Sequence, residues 1–409
     1  MPLHVRLRSL WPLPVALALV VLAPWIIDVS ADGIGLSYHL DTHVYRSGAE
    51  AVLAGDNPYT RLFSVQDTAL PFTYPPLAAV LFIPLTWVSV ELGGFLMTVV
   101  SLAALVLVLV VTLRSLNLPI VLALWLLPLA ALFEPVRDTI SFGQINLLLM
   151  AAVVVDTLGP KHRLTGALSG LAAAVKLTPA VFVVFFLIRR DYRSAATMAG
   201  SALAATAAAA LVVPEATLHY LRTTLVDTER IGAQSYSKNQ SLTGALSRVF
   251  DAQTVDTLWL LLVPTVIVLA LVAAWRVRRH QAGLLSVVSL ISLLCSPVSW
   301  SHHWVWLVVI ALVFLAAART SRGAWGMLGV VVVAAVLPPH ALLPHDDGRE
   351  ATWTLAMHIV GDTFVWIAVA VLFIGALCPR VLAAAPGRGA RPATWRSRAP
   401  ENASQSAAG

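Results

Sequence analysis

The first carboxylate beyond the opening apolar run stands in Leu40-Asp41-Thr42-His43-Val44-Tyr45. Gly55-Asp56-Asn57-Pro58-Tyr59 and Phe72-Thr73-Tyr74-Pro75-Pro76 follow it. A carboxylate among polar and aromatic groups can take a proton from a hydroxyl, the task of a general base. Further polar groups recur beside apolar segments: Arg137-Asp138, Gln144 and Asn146, then Lys176, then Lys238-Asn239-Gln240, then Ser299, Trp300, His302 and His303. Cations and imidazoles of this kind can receive phosphate oxygens through charge-assisted hydrogen bonds.

Each residue also has a plainer reading. Asp41 could cap a helix over residues 42–53, since Asp is a favoured N-cap. Asp56 sits in Asp-Asn-Pro, a turn-forming sequence, with catalysis as its second reading. Lys176 could send its ammonium to the surface, but a charge at membrane depth is costly and marks a functional position. On a helix, adjacent His302 and His303 would diverge by about 100°. One of them, not both, is therefore expected on a phosphate or sugar, and the pair lacks the i, i+4 spacing of a metal site. Trp300, Trp304 and Trp306 read as interfacial belt residues.

The elements that must position these groups are membrane helices. The chain has 409 residues, 58% hydrophobic and 12% charged, with mean hydropathy +0.82. A soluble domain carries about 25% charged residues. Two cysteines, Cys295 and Cys378, form neither a disulfide framework nor a metal spacing. The net charge of +6 comes from basic residues at the ends of apolar runs, so it signals topology and no nucleic-acid partner.

Apolar runs extend from about Leu10–Ile27 to Ala356–Leu377, giving about twelve crossings if Pro75–Val90 lies at the outer interface instead of spanning. Val29-Ser30-Ala31 could pass for a signal-peptidase site, but the run before it is long enough to be a retained helix. With both ends cytoplasmic, most of the 27 Lys and Arg fall inside, as the positive-inside rule requires. Residues 1–383 read as one integral membrane domain, with external loops at about 30–92, 214–257 and 338–355. The first external loop holds about 45 residues ahead of the Pro75–Val90 segment, a length that marks function or disorder. Residues 384–409 read as a disordered basic cytoplasmic tail. Leu164–Val175 and Ala180–Ile188 are each too short to cross about 30 Å of hydrocarbon. They predict a hairpin with Lys176-Leu177-Thr178-Pro179 at its tip, below a cavity that opens outside.

The ordered motifs Asp41-Thr42-His43-Val44-Tyr45, Gly55-Asp56-Asn57-Pro58-Tyr59, Tyr74-Pro75-Pro76-Leu77, Phe142-Gly143-Gln144-Ile145-Asn146, Lys176-Leu177-Thr178-Pro179, Asn239-Gln240-Ser241-Leu242 and Ser296-Pro297-Val298-Ser299-Trp300-Ser301-His302-His303 resemble glycosyltransferase family 87. That family includes the polyprenol-phosphate-mannose-dependent α-1,2-mannosyltransferases of mycobacteria and relatives, the PimE type. The resemblance covers about residues 10 to 320. It implies a GT-C fold, all-α and polytopic, with an external active site. It also implies a polyprenyl-phosphate sugar as donor, a glycolipid as acceptor, and an acidic base in the first external loop, the position of Asp41.

The expected chemistry is an inverting displacement. The leaving polyprenyl phosphate needs cations and no second carboxylic acid, unlike the carboxylate pair of a glycosidase. Asp41 would be the base. Lys176, His302 or His303, and Arg137 would receive the phosphate. Gln144, Asn146, Tyr74, Lys238, Asn239, Gln240, Asp56 and Tyr59 complete the expected substrate-binding set. No metal and no cofactor beyond the lipid-linked donor are expected. The competing readings are arabinofuranose transfer from a polyprenyl phosphate, a lipid or solute transporter, and a non-catalytic membrane scaffold. The absence of an internal repeat and the gathering of polar residues at one face oppose the transporter.

Overall fold

The structure is a computed structural model that describes residues 12–30, 33–227 and 229–383. The basic tail expected over 384–409 lies outside these residues, as do Arg6, Arg8 and Ala31. The first apolar run forms α1 (Pro12–Ile26), followed by a short hairpin of β1 (Ile27–Ser30) and β2 (Gly33–Leu36).

The long first connection is a folded unit, which corrects its reading as a loop. It contains α2 (Leu40–Leu53), a second hairpin of β3 (Leu62–Val65) and β4 (Thr68–Pro71), and the short α3 (Pro76–Leu81). Helix α2 buries Thr42, Tyr45 and Ala49 along one side, the i, i+3, i+7 spacing of an inward stripe. Pro76 occupies the first turn of α3, where its missing N–H costs nothing. These elements share an apolar core of their own, in which Tyr45 stacks on Phe82 with ring centroids 4.2 Å apart.

The bundle continues through α4 (Val90–Ser115), α5 (Leu122–Leu132), α6 (Glu134–Phe142), α7 (Asn146–Leu158), α8 (Ala167–Val175), α9 (Val183–Ile188), α10 (Tyr192–Val212) and α11 (Pro214–His219). It closes with α12 (Leu242–Ser247), α13 (Ala252–Val277), α14 (Gln281–Cys295), α15 (Leu307–Ala317), α16 (Arg322–Val336), α17 (Pro339–Leu342), α18 (Leu355–Gly361) and α19 (Thr363–Leu377). Helix α4 packs on α7, α8 on α10, α13 on α14 and α19, and α15 on α16. Helix α14 is apolar and buried almost all round, as a central helix must be. Gly170 on α8 lies against the α10 backbone at Met198, so a side chain there would hold the two helices apart.

The expected count of about twelve spanning helices is not met by helix length. Among the described residues four helices are long and apolar enough to cross a membrane: α4, α10, α13 and the segment Arg322–Ala341 that contains α16. The pair α18–α19, bent by 66°, makes a fifth if read as one span. Seven further apolar helices run only 10–17 residues. A hydropathy window registers apolar composition, whereas 3-10 turns at Thr178–Phe182 and Ser301–Trp306 and a left-handed turn at Gly143 end the helices. Irregular backbone at such depth requires a covering of protein or a water-lined cavity. The long apolar helices make the chain a multi-pass membrane protein.

Candidate active site

A cavity of about 540 Å³ opens among α2, the α6–α7 turn, the tip of the α8–α9 hairpin and the 3-10 turn Ser301–Trp306. Its volume falls in the range of small-molecule sites, about 300–1,000 Å³. Asp41, Tyr74, Gln144, Lys176, Lys238, His302 and His303 all line it.

Asp41 is not a helix cap. His39 holds the cap position and Asp41 lies in the first turn of α2. The start of α2 is pinned by Thr42 Oγ1, which donates to the Gly143 carbonyl at 3.1 Å. Gly143 ends α6 with φ of +69°, and a Cβ there would sit 2.9 Å from the His39 side chain, so only glycine fits. This turn aims Gln144 at Asp41, whose Oδ2 accepts from Gln144 Nε2 at 2.8 Å. Gln144 Oε1 accepts from the hydroxyls of Tyr45, at 2.8 Å, and Tyr74, at 2.7 Å. An ionised carboxylate only accepts, so the amide nitrogen must face Asp41 and its oxygen the phenols.

Half-buried at the cavity wall, Asp41 has its carboxyl pushed up from 3.8 to about 6 by burial. The Gln144 hydrogen bond and the Lys176 cation act in the opposite direction.

Lys176 follows the last residue of α8, in an extended conformation that turns its side chain out of the helix. Its Nζ donates to Asn146 Oδ1 at 2.9 Å and to His303 Nε2 at 3.0 Å, and stands 5.2 Å from the centre of the Tyr74 ring. An ammonium only donates, which assigns the His303 proton to Nδ1. Asn146 spans the site: its Nδ2 donates to the His302 carbonyl at 3.1 Å. Both ring nitrogens of His302 are buried without a partner among the described residues.

The expectation that only one of the two histidines could serve the site is corrected. Their segment is a 3-10 turn, kinked at Trp304, that projects into the cavity wall, and both rings line the cavity edge to face, 4.8 Å apart. Trp304 and Trp306 are buried against Phe364 and Phe182 instead of forming a belt, while Trp300 lines the cavity.

Other expected residues fall elsewhere. Arg137 points away, its Nη2 donating to the Val336 carbonyl at 3.5 Å, because adjacent positions on a helix diverge by about 100° and Asp138 takes the cavity side. Lys238 is the cation on that wall, paired with Asp138 at 2.5 Å. Asn239 and Gln240 are fully buried struts. Asn239 bonds the Pro297 carbonyl and the Ser299 amide, and Gln240 bonds the Ser237 and Gly361 carbonyls. Asp56 is an exposed turn residue 3.3 Å from Arg61. Tyr59 is buried and donates to the Tyr74 carbonyl at 2.8 Å, so it shapes the wall from behind. Arg137, Asn239, Gln240, Asp56 and Tyr59 do not line the cavity.

Beyond the expected set, the site uses Tyr45, Tyr220 and Arg230. Tyr45, which holds Gln144 from behind the lining, was legible, since positions 41 and 45 share one face of a helix. Arg230 and Tyr220 line the cavity from the segment between α11 and α12, and no motif marks them.

The glycosyltransferase family 87 family model matches residues 72–297. A protein of Mycolicibacterium smegmatis, a polyprenol-phosphate-mannose-dependent alpha-(1-2)-phosphatidylinositol mannoside mannosyltransferase, is 34% identical over 370 residues, covering 82% of this chain and 83% of that protein. The chain belongs to glycosyltransferase family 87. It is therefore a glycosyltransferase. The Mycobacterium tuberculosis protein of the same description is 36% identical over 83% of this chain and 85% of its own length. A pentamannoside mannosyltransferase of the same species is 38% identical over 72% and 71%. Among solved structures, ArnT from Cupriavidus metallidurans bound to undecaprenyl phosphate covers 89% of this chain and 77% of its own, at 17% identity and a TM-score of 0.44. The family 87 match includes Gln144, Asn146, Lys176 and Lys238, while Asp41, His302 and His303 lie outside it and are tied to the site by geometry.

Proposed function

We propose that this family 87 enzyme transfers mannose from polyprenyl-phosphate-mannose to a hydroxyl of a phosphatidylinositol-anchored mannoside, at the outer face of the membrane and within a GT-C fold. The relatives named above carry that donor and acceptor class in their descriptions. The observation that carries the reading is one oriented carboxylate, Asp41, sharing a cavity with the Lys176 ammonium and two imidazoles.

The acceptor oxygen attacks the anomeric carbon while its proton passes to Asp41. The bond from that carbon to the phosphate oxygen breaks, and its electron pair leaves with the polyprenyl phosphate. Lys176 neutralises the charge that gathers on the departing oxygens, while the His303 and His302 imidazoles offer ring N–H donors beside it. Attack opposite the leaving group inverts the centre, so a β-linked mannosyl phosphate yields an α-mannoside, 1→2 linked as in the relatives. One base suffices because the phosphate leaves without a proton.

Purified Asp41→Asn protein tests this. Transfer from radiolabelled polyprenyl-phosphate-mannose is expected to fall about 10²–10⁴-fold, with donor binding retained. Asp56→Asn is expected to be mild. Near-parental transfer by Asp41→Asn would remove Asp41 as the base.

A further inference from the structure

Three cationic side chains besides the histidines line the cavity: Lys176, Lys238 and Arg230. Lys238 is paired with Asp138. Lys176 is held by Asn146 and His303 beside the proposed base. Arg230 is half-buried on the short turn Glu229–Ile231 and has no carboxylate among the described side chains within ion-pairing distance. Tyr220 and Thr224 line the cavity beside it, and the turn rests on the Trp300 ring at Gly232. Tyr220 packs on Tyr59, 5.5 Å between rings. Arg230 thus shares its part of the wall with Tyr220 and Thr224, on a chain segment separate from those that carry Asn146, Lys176 and His303.

We propose that Arg230 binds the phosphodiester of the glycolipid acceptor, a second anion site for the mannosyl transfer inferred above, on which this proposal rests. Both lipid substrates of that reaction carry a phosphodiester. The donor phosphate is bonded to the carbon under attack, so it must lie beside the hydroxyl that Asp41 deprotonates, where Lys176 is. The acceptor phosphate is separated from the attacked hydroxyl by an inositol and at least one mannose. It cannot also reach Lys176, and needs its own cation farther along the same cavity. Arginine suits it, because the planar fork matches two phosphate oxygens at once. Tyr220 and Trp300 offer flat faces for the sugars between the two anions.

The test compares two acceptors, the same mannosylated inositol with and without its phosphodiester, using full-length protein and polyprenyl-phosphate-mannose. The parent is expected to favour the phosphodiester by about tenfold or more in kcat/KM, the scale of a charge-assisted contact. Arg230→Gln is expected to abolish that preference by raising the KM of the phosphodiester acceptor alone, and Arg230→Lys to restore part of it. In the parent, a deacylated glycerophosphoinositol mannoside is expected to compete with the lipid acceptor, and its dephosphorylated form to compete at least tenfold less well. That measurement needs no variant. A preference retained in Arg230→Gln, a rise in donor KM instead, or equal competition by the two soluble glycans overturns the proposal. Failure of the parent to use polyprenyl-phosphate-mannose with either acceptor overturns the transfer reading itself, a distinct result.

Discussion

At the scale of single residues, the site turns on how Asp41 is kept both basic and in place. Burial alone would favour its neutral acid, and Gln144 opposes that by donating to the ionised form. With a carboxyl near 6, the ionised fraction falls as pH drops through that value, so kcat/KM is expected to show an acid limb near pH 6. Gln144→Leu removes the hydrogen bond that holds the pKa down. The limb is expected to move to higher pH and the rate at pH 7 to fall; a limb that stays in place would detach Gln144 from the base. Lys176→Met tests the other side of the cavity. Losing a charged donor to phosphate costs about 10- to 100-fold in affinity, so the rise is expected in donor KM, with acceptor KM little altered. A rise confined to the acceptor would reverse the two ends.

At the scale of elements, the cavity wall is held by contacts between segments far apart in sequence. Arg248 pairs with Asp362, both fully or almost fully buried, and also bonds the carbonyls of Tyr236 and Asn239. Ser237 N–H donates to Glu350 at 2.9 Å. These contacts fix the segment that presents Lys238 and Tyr236 to the cavity. Asp362→Ala leaves a buried guanidinium without its partner, a loss of about 3–5 kcal/mol. Thermal unfolding in detergent is expected to come at a clearly lower temperature, and an unchanged midpoint would remove the pair from the scaffold. Such long-range partners explain what the sequence could and could not disclose. The α8–α9 hairpin and Lys176 at its tip were legible, because segment length against bilayer thickness is a local measure. The partnership of Lys238 with Asp138, a hundred positions apart, was not, and Arg137 was expected at the site alongside Lys238. His302 and His303 misled because neighbouring positions that diverge by about 100–120° can still both border one broad cavity. Asn239 and Gln240 carry polar types that read equally as ligands or as buried struts until their backbone partners are known.

At the scale of the molecule, the two ends differ in charge. Lys161 pairs with Asp191 at 2.7 Å and Arg189 donates to the Arg278 carbonyl at 2.9 Å, so the α7–α8, α9–α10 and α13–α14 connections gather a basic cluster at one end. The end that holds Asp41, Asp138, Glu350 and Asp362 carries the cavity. Between them α10 and α13 expose Leu203, Leu211, Leu260, Leu261 and Val268, an apolar surface suited to lipid. We propose, on the positive-inside rule, that the basic end lies in the cytoplasm and the cavity opens outside. There a sugar activated on a lipid is the accessible donor, since nucleotide sugars stay in the cytoplasm. Single cysteines at exposed Asp56 and Asp347, and at exposed Lys161 and Arg279, test this after Cys295 and Cys378 are replaced by serine. A membrane-impermeant maleimide on intact cells is expected to label positions 56 and 347. Positions 161 and 279 should react only after the membrane is opened. Labelling of position 279 from outside would invert the molecule, place Asp41 among nucleotide sugars, and remove the reason for a lipid-borne donor.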